Sequence, residues 1–295
     1  TSGARLQISH IQPKYGAPAH AMEHTLEIIS AARRHGVELA FDVIPHDWAH
    51  TLVMAILPRW ALEGGVDRIL ERLKDDESRD QIKRNRSPMW LLVADRLWSK
   101  IVLLNSRENP QLVGESLEEI GKARGNDPYD VVLDLLLEEG NDMHQLLWTS
   151  HAFLESDLEL CLEQPECAVI SDTLALAPYG DLATQLGSLS GYGWTSEFLN
   201  RYVKERNVMS LSEGVRRLTS LPAQRLGLGD RGLVREGFKA DIVVFDPDAI
   251  RSTWTVQQPR SYPTGIEYVI VNGRLTISAG QRTENDGGMV LRAPL

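Results

Sequence analysis

Only two cysteines, Cys161 and Cys167, occur in the 295 residues. Two thiols cannot build a disulfide framework, and such sparse use suits a reducing, cytoplasmic compartment. Both read as packed thiols rather than ligands. No apolar run approaches the roughly 20 residues that a membrane helix needs. No signal peptide opens the chain, so a membrane or secretory role is not expected. Internal repeats and low-complexity tracts are absent as well. Basic charge is also in deficit: 31 Lys and Arg against 41 Asp and Glu leave a formal net charge of −10. Counterion release from a nucleic acid requires clustered cations, so a nucleic-acid partner is not expected either. What remains is ordinary globular composition, 42% hydrophobic and 24% charged. It is enough for one large α/β domain or two smaller ones.

The chain opens with a βαβ pattern. "LQISHIQP" (6–13) alternates and then stops at Pro13, which puts His10 at the C-terminal edge of a short strand. That edge is where α/β sheets bind ligands and metals. A histidine satisfied by loop hydrogen bonds is the plainer alternative. Met22, Leu26, Ile29 and Ala32 follow at helical spacing, with Arg33 and Arg34 in the last turn and Gly36 as a stop. "VELAFDVIP" (37–45) is an apolar run bounded by Gly and Pro and reads as a buried parallel strand. From about 51 to 150 the chain reads as mainly helical and heavily charged, its charges forming a solvated face. "CAVISD" (167–172) is a third strand candidate, and it too ends on a polar residue, Asp172. Two strands ending on His10 and Asp172 have the pattern of a barrel with functional groups at its strand C-termini.

The last third changes character. "EFLNRYVKERNVMSLSEGVRRLTS" (197–220) predicts a helix broken near Asn207. Beyond Gly227, "ADIVVFD" and "GIEYVIVNGRLTI" predict strands, with Asn272-Gly273 between alternating apolar residues as a hairpin signal. A boundary falls near 225, with a small β-domain over 226–295.

"LTSLPAQRLGLGDRGLVREGFKADIVVFDPDAI", followed by "YPTGIEYVIVNGRLT", resembles the C-terminal signature of the D-aminoacylase (N-acyl-D-amino-acid deacylase) group in the amidohydrolase superfamily. "LQISHI", "GVELAFDVIP" and "CAVISD" match that group's strand motifs in order, and 109–140 resembles the segment it inserts between two late barrel strands. The resemblance implies the C-terminal half of a (β/α)8 metallohydrolase barrel, with a helical insertion and the small β-domain. Strands six and seven would lie in 1–50, the insertion in 51–150, and the last barrel strand with its helices in 151–225. His10 matches the metal-binding histidine of the sixth strand. Asp172 matches the aspartate that activates the metal-bound water and then protonates the leaving amine. Imidazole nitrogen suits zinc, which lowers the pKa of bound water, and a nearby carboxylate can take and return its proton. The expected cofactor is therefore Zn2+ or a similar divalent metal.

The group's earlier ligands, among them a His-x-His pair, have no counterpart here, so the remaining ligands are expected from outside this chain. Half a barrel exposes sheet edges and an unfinished core. The missing half is either a separate or cleaved chain or simply absent from a sequence that is a piece of a longer protein; the expectation is a two-chain enzyme whose partner, about 250 residues long, carries the first five strands. Thr1 as an autocatalytic nucleophile using its own α-amine is the other thought the opening invites. Against it, "TSGARLQISH" runs smoothly into the family strand. A catalytically inactive scaffold or regulatory subunit is the alternative from a different class.

Departures from the group's pattern bear on substrate. Where it commonly has His-His-Lys, this chain has His10-Ile11-Gln12; where it has His-Pro-Arg before a Tyr-Gly pair, this chain has Ser188-Leu189-Ser190 before Tyr192-Gly193. The missing Lys and Arg are associated with holding a substrate carboxylate by charge-assisted pairs. The usual Tyr-Pro-Tyr is replaced by Ile44-Pro45-His46, with His50 four residues on. Gln12, His46, Ser190 and Tyr192 are thus candidate substrate contacts; His50 could touch substrate as well, and a packed or exposed histidine is the equal alternative for His46 and His50. The expected substrate is a small neutral or cyclic amide, and a hydantoinase- or dihydroorotase-like activity shares the same chemistry.

Overall fold

A computed structural model describes residues 3–85, 90–174, 176–177, 179–180 and 190–292. Its first sheet is parallel. β1 (Leu6–Ile8) and β2 (Leu39–Val43) pair in the register Leu6↔Leu39 to Ile8↔Phe41. The Ala21–Arg34 helix connects them and buries Met22 and Ile29, as the spacing predicts. It ends where Gly36 turns left-handed at φ 82, with the Val37 amide donating back to the Ala32 carbonyl at 3.1 Å. That closure satisfies a terminal carbonyl which would otherwise lack a partner.

Beyond β2 the chain leaves this sheet through β3 (Trp48–Leu52), enters a helical body, and includes β4 (Val102–Asn105). It returns through β5 (Leu147–His151), and the three strands form an antiparallel sheet in the order β3-β5-β4. These strands depart from the mainly helical reading of 51–150. "VLLN" and "LWTSH" are too short for their alternation to stand out from the surrounding helices, and only cross-strand pairing makes them strands. The helical body has a core of its own, including Ile69, Leu73, Ile82, Ile120, Leu133 and Trp148. Its Leu117–Arg124 helix starts at a capping box. The Glu119 amide donates to Ser116 Oγ at 3.2 Å, and the Ser116 amide donates to Glu119 Oε2 at 2.8 Å. β3 and β5 therefore act as a stalk that carries a separately packed unit.

β6 (Cys167–Val169) then joins the first sheet, giving the order β1-β2-β6 with Phe41↔Cys167 in register. All five residues of β2 and all three of β6 are buried, as parallel strands covered on both faces require. Arg217, 2% exposed, donates to the Cys167 carbonyl at 2.7 Å and the Leu162 carbonyl at 3.1 Å, which pins the start of β6. Cys161 and Cys167 are buried, and burial pushes both thiols up, Cys161 to about 12. They are packing groups. Among the described residues the sheet is open, with β1 at one edge, and it does not close into a barrel.

The helix predicted over 197–220 begins earlier, at Ser190, and passes into a π-helical stretch over Phe198–Glu205. Asn207 breaks it at φ 52, and Leu211–Leu218 resumes as a helix. The C-terminal strands are β7 (Ile242–Phe245), β8 (Ile266–Val271), β9 (Arg274–Ser278) and β10 (Gln281–Arg282), antiparallel in the order β10-β9-β8-β7. Asn272 and Gly273 turn the β8–β9 hairpin at φ 49 and 80, the two positive angles of a type I′ turn. No helix among the described residues is long and apolar enough to cross a membrane.

Candidate functional site

The parallel sheet brings three chain segments to one edge. β1, β2 and β6 run in the same direction, so the residues that follow them all emerge at the C-terminal end. His10 follows β1, His46 follows β2 and Asp172 follows β6. β2 alone separates the outer two strands, a distance of about 10 Å at ordinary strand spacing.

His10 and Asp172 share an unusual backbone. Both are non-glycine residues in the left-handed region, at φ 39 and φ 49, and both are exposed. Such conformations cost about 1–3 kcal/mol and persist where the surroundings enforce them. For His10 the enforcing group is Asp42, 4% exposed in the middle strand. The His10 amide donates to Asp42 Oδ1 at 2.8 Å, Ser9 Oγ donates to the same oxygen at 2.9 Å, and Gln7 Nε2 donates to Oδ2 at 2.8 Å. The Ile11 amide also donates to the Asp42 carbonyl, at 3.2 Å. One buried carboxylate thus holds the turn that presents the imidazole. The ring itself makes no hydrogen bond among the described residues, and neither does the Asp172 carboxylate.

Gln12 is buried beside this turn. Its Nε2 donates to the Ile44 carbonyl at 2.7 Å, and its Oε1 accepts from the Ile44 amide at 3.3 Å. The side chain therefore ties the loop after β1 to the loop after β2. His46 is fully buried and stacks on Trp48, with ring centroids 3.7 Å apart and planes 15° apart. Burial pushes its imidazole down to about 3, with His50 acting in the same direction. His50 is lowered too, by burial, while the charge of Asp172 pulls it back up. That influence places Asp172 and His50 in one electrostatic neighbourhood. Tyr192 stands further along, its hydroxyl donating to the Leu176 carbonyl at 2.6 Å and its ring packed edge-on against Tyr262. Ser188 and Leu189 lie outside the described residues, as does the side chain of Ser190.

A further wall comes from the C-terminal segment. Trp254 meets Trp48 edge-on at 5.2 Å between ring centroids. A Cβ at Gly193 would lie 2.8 Å from Ser252 Cβ and 2.9 Å from Trp254 Cδ1, so the glycine admits this segment. Asp42 and Trp254 were not among the candidates read from the sequence. The lone aspartate in the apolar run "ELAFDVIP" was the available signal for Asp42, since a buried carboxylate requires donors.

The donor set is partial. An imidazole and a carboxylate suit a zinc-type ion. Among the described residues, however, no three His, Cys, Asp or Glu side chains come together to hold one. His10 offers one imidazole of the kind such a set uses, and Asp172 a carboxylate at the same sheet edge.

Residues 173–277, beginning directly after Asp172, match the Amidohydrolase family. An N-acyl-D-glutamate deacylase of Alcaligenes xylosoxydans xylosoxydans is 28% identical over 253 residues, 84% of this chain and 40% of that protein. An N-acyl-D-aspartate deacylase of the same organism is 29% identical over 197 residues, 67% of this chain and 36% of that protein. Among solved structures, an N-acyl-D-glutamate deacylase from Bordetella bronchiseptica, complexed with zinc and a phosphonate inhibitor, shares the fold. It has a TM-score of 0.66 at 24% identity, over 95% of this chain and 49% of that one. A D-aminoacylase aligns with a TM-score of 0.69 at 23% identity, over 97% of this chain and 49% of that one. The chain spans about half the length of these solved relatives. From the family segment through the relatives to the shared fold, this chain resembles the D-aminoacylase group of the amidohydrolases.

Proposed function

We propose that this chain is part of a metal-dependent hydrolase of C–N amide bonds, with His10 as a metal ligand and Asp172 as the proton-moving carboxylate. The observation that carries the reading is the pair of exposed, left-handed residues standing after the two outer strands of one parallel sheet. The zinc in the Bordetella deacylase structure supports a metal of that kind. When bound, such a metal would lower the pKa of a water molecule and polarise the amide carbonyl. His10 would hold it through an imidazole whose backbone Asp42 keeps in place, and the other ligands would come from outside the described residues. Asp172, its carboxylate without a hydrogen bond among the described residues, would accept the water's proton and pass it to the leaving nitrogen. The neighbouring His50, lowered by burial, would remain a neutral hydrogen-bonding group.

The same reading treats the sheet as part of a barrel. β1 is an edge strand and its Leu6 is 46% exposed. Open parallel edges are uncommon because they invite pairing. A second polypeptide carrying the first five strands would cover this one. The substrate proposed is a neutral or cyclic amide. The position at which the group commonly has Lys holds Gln12, an uncharged amide tied to Ile44.

The test uses the assembled enzyme. Asp172→Asn suits the left-handed backbone, since Asn tolerates it better than most residues. It should keep fold and metal while kcat falls about 10²–10⁴-fold. His10→Ala should lose metal content and activity together. Near-normal turnover in Asp172→Asn, or full metal occupancy in His10→Ala, would overturn the assignment.

A further inference from the structure

Residues 251–264 form an arm that reaches the candidate site from the C-terminal part of the chain. Its base is closed where the Thr264 amide donates to the Arg251 carbonyl at 3.0 Å, and its tip turns where the Gln258 amide donates to the Thr255 carbonyl at 3.1 Å. Trp254 packs on Trp48, and Tyr262 meets Tyr192 edge-on with ring centroids 5.3 Å apart. Tyr192 donates to the Leu176 carbonyl, and a Cβ at the preceding Gly191 would lie 3.5 Å from the Leu174 carbonyl oxygen. The arm therefore lies beside the loop that begins at Asp172. Arg260 stands on it, two residues before Tyr262. Burial pushes the Tyr192 hydroxyl up, and the charge of Arg260 pulls it back down, so the guanidinium is a neighbour of that hydroxyl. Arg260 is partly buried, yet its side chain makes no hydrogen bond or ion pair among the described residues. The other described arginines in that condition, Arg5, Arg34, Arg59, Arg235 and Arg292, are all exposed, where water serves them. Partial burial strips water from a cation without giving it a partner, a cost that a bound acceptor removes.

We infer that Arg260 holds the substrate by an oxygen that takes no part in the bond being cleaved. A guanidinium has five N–H donors and no acceptor, so its partner is an oxygen acceptor. Within the proposed substrate class that oxygen is the second carbonyl of a cyclic amide, and a carboxylate is the other source of the same chemistry. The inference rests on the reading of this edge as the site of an amide hydrolase, and it narrows that reading to amides with a second oxygen. The site's other cation is already engaged. Arg201, which acts on the His46 ring, is committed to Glu155 at 2.8 Å and lies within 3.8 Å of Glu197 and 4.0 Å of Asp47. Arg260 is both unpaired and partly exposed, so a ligand can reach it.

The decisive experiment has two readouts on the assembled enzyme and three probes. Succinimide carries a second ring carbonyl, 2-pyrrolidinone lacks it, and N-acetylglycine carries a carboxylate. The first readout is 15N NMR of labelled arginine side chains, with the Arg260 signal assigned by its loss in Arg260→Met. That signal should move with succinimide or N-acetylglycine but not with 2-pyrrolidinone. The second is KM for each probe. Arg260→Met keeps much of the apolar stem and removes the donors. It should raise KM about 10–100-fold for a probe that moves the signal, with kcat nearly unchanged, and leave KM for 2-pyrrolidinone as it was. Arg260→Lys separates the two sources, because a point charge still attracts a carboxylate but lacks the fork that grips a neutral carbonyl. An Arg260 signal that ignores both succinimide and N-acetylglycine, or a KM in Arg260→Met that is unchanged for both or rises equally for all three probes, would overturn the inference. Should the wild-type enzyme hydrolyse none of the three, the proposed function fails, and the NMR shift still decides the role of Arg260.

Discussion

Asp42→Ala tests how the fold presents the candidate ligand. The carboxylate receives three donors, from Gln7, Ser9 and the His10 amide, at 2.8–2.9 Å. Hydrogen bonds to a charged group contribute about 1.5–3 kcal/mol each. Gln7 and Ser9 are exposed, so water replaces Asp42 for them when it is removed. The His10 amide loses its partner, and the left-handed turn loses what enforces it. The net destabilisation expected is therefore about 2–4 kcal/mol, close to one charged hydrogen bond plus the small void left in a strand 4% exposed at this position. Asp42→Asn should fall between wild type and alanine, because one oxygen remains for Ser9 and His10. Urea unfolding of the assembled enzyme measures the first effect, and hydrogen exchange at the His10 amide shows whether the turn has loosened. Metal affinity should drop about 10–100-fold, the usual result of removing the group that orients a ligand. Unchanged exchange at His10 together with unchanged metal affinity in Asp42→Ala would refute the reasoning.

Two further predictions concern the frame behind the site. Hydrogen bonds and charge from Arg216 and Arg217 hold the Glu213 carboxyl down at about 2. A depressed carboxylate contributes stability above its unfolded pKa of about 4.3, and that contribution is lost as pH falls towards the folded value. Glu213→Gln should therefore be less stable at neutral pH and should flatten the acid limb between about pH 4.5 and 2. Urea midpoints across that range check it, and an acid limb as steep as the wild type's would contradict it. At the β8–β9 hairpin, Asn272 sits at φ 49 and its Nδ2 donates to the Gly287 carbonyl at 2.6 Å. Asn272→Ala should cost about 1–2 kcal/mol and Asn272→Gly less, since glycine takes positive φ freely. Equal melting temperatures for alanine and glycine would show that backbone strain is not the cause.

The local elements were legible because their signals are local. Met22 and Ile29 at helical spacing, the apolar run ending at Ile44, and Asn272-Gly273 each specify an element through nearest-neighbour sterics and one-sided burial. That His10 and Asp172 come just after short strands was legible in the same way, although the strands stop at Ile8 and Val169. The break at Asn207 could be read from composition, whereas the π-helical stretch over Phe198–Glu205 could not. Hydrogen-bond register inside a helix answers to packing, and here Phe198 and Tyr202 are fully buried.

Tertiary structure decided the rest. The pairing of "VLLN" with "LWTSH" depends on a partner strand more than 40 residues away, as in Val102↔Thr149. Asp42 became the brace for His10 only when β1 was laid beside β2, because a carboxylate meets donors 32 to 35 residues distant only through sheet register. Gln12 read as a substrate contact from its place in a motif, and its bonds to Ile44 emerge only when two loops meet. The stack of His46 on Trp48 was within reach of the sequence, two residues apart, but the burial that leaves Nε2 unpaired was not. Sequence by itself determined which residues turn, which alternate, and which strands are followed closely by titratable groups, since those properties belong to short stretches of chain. The neighbours of each titratable group, and hence its charge state and its unmet hydrogen bonds, were decided by the fold, because desolvation and Coulomb interactions depend on distance in space and not on distance along the chain.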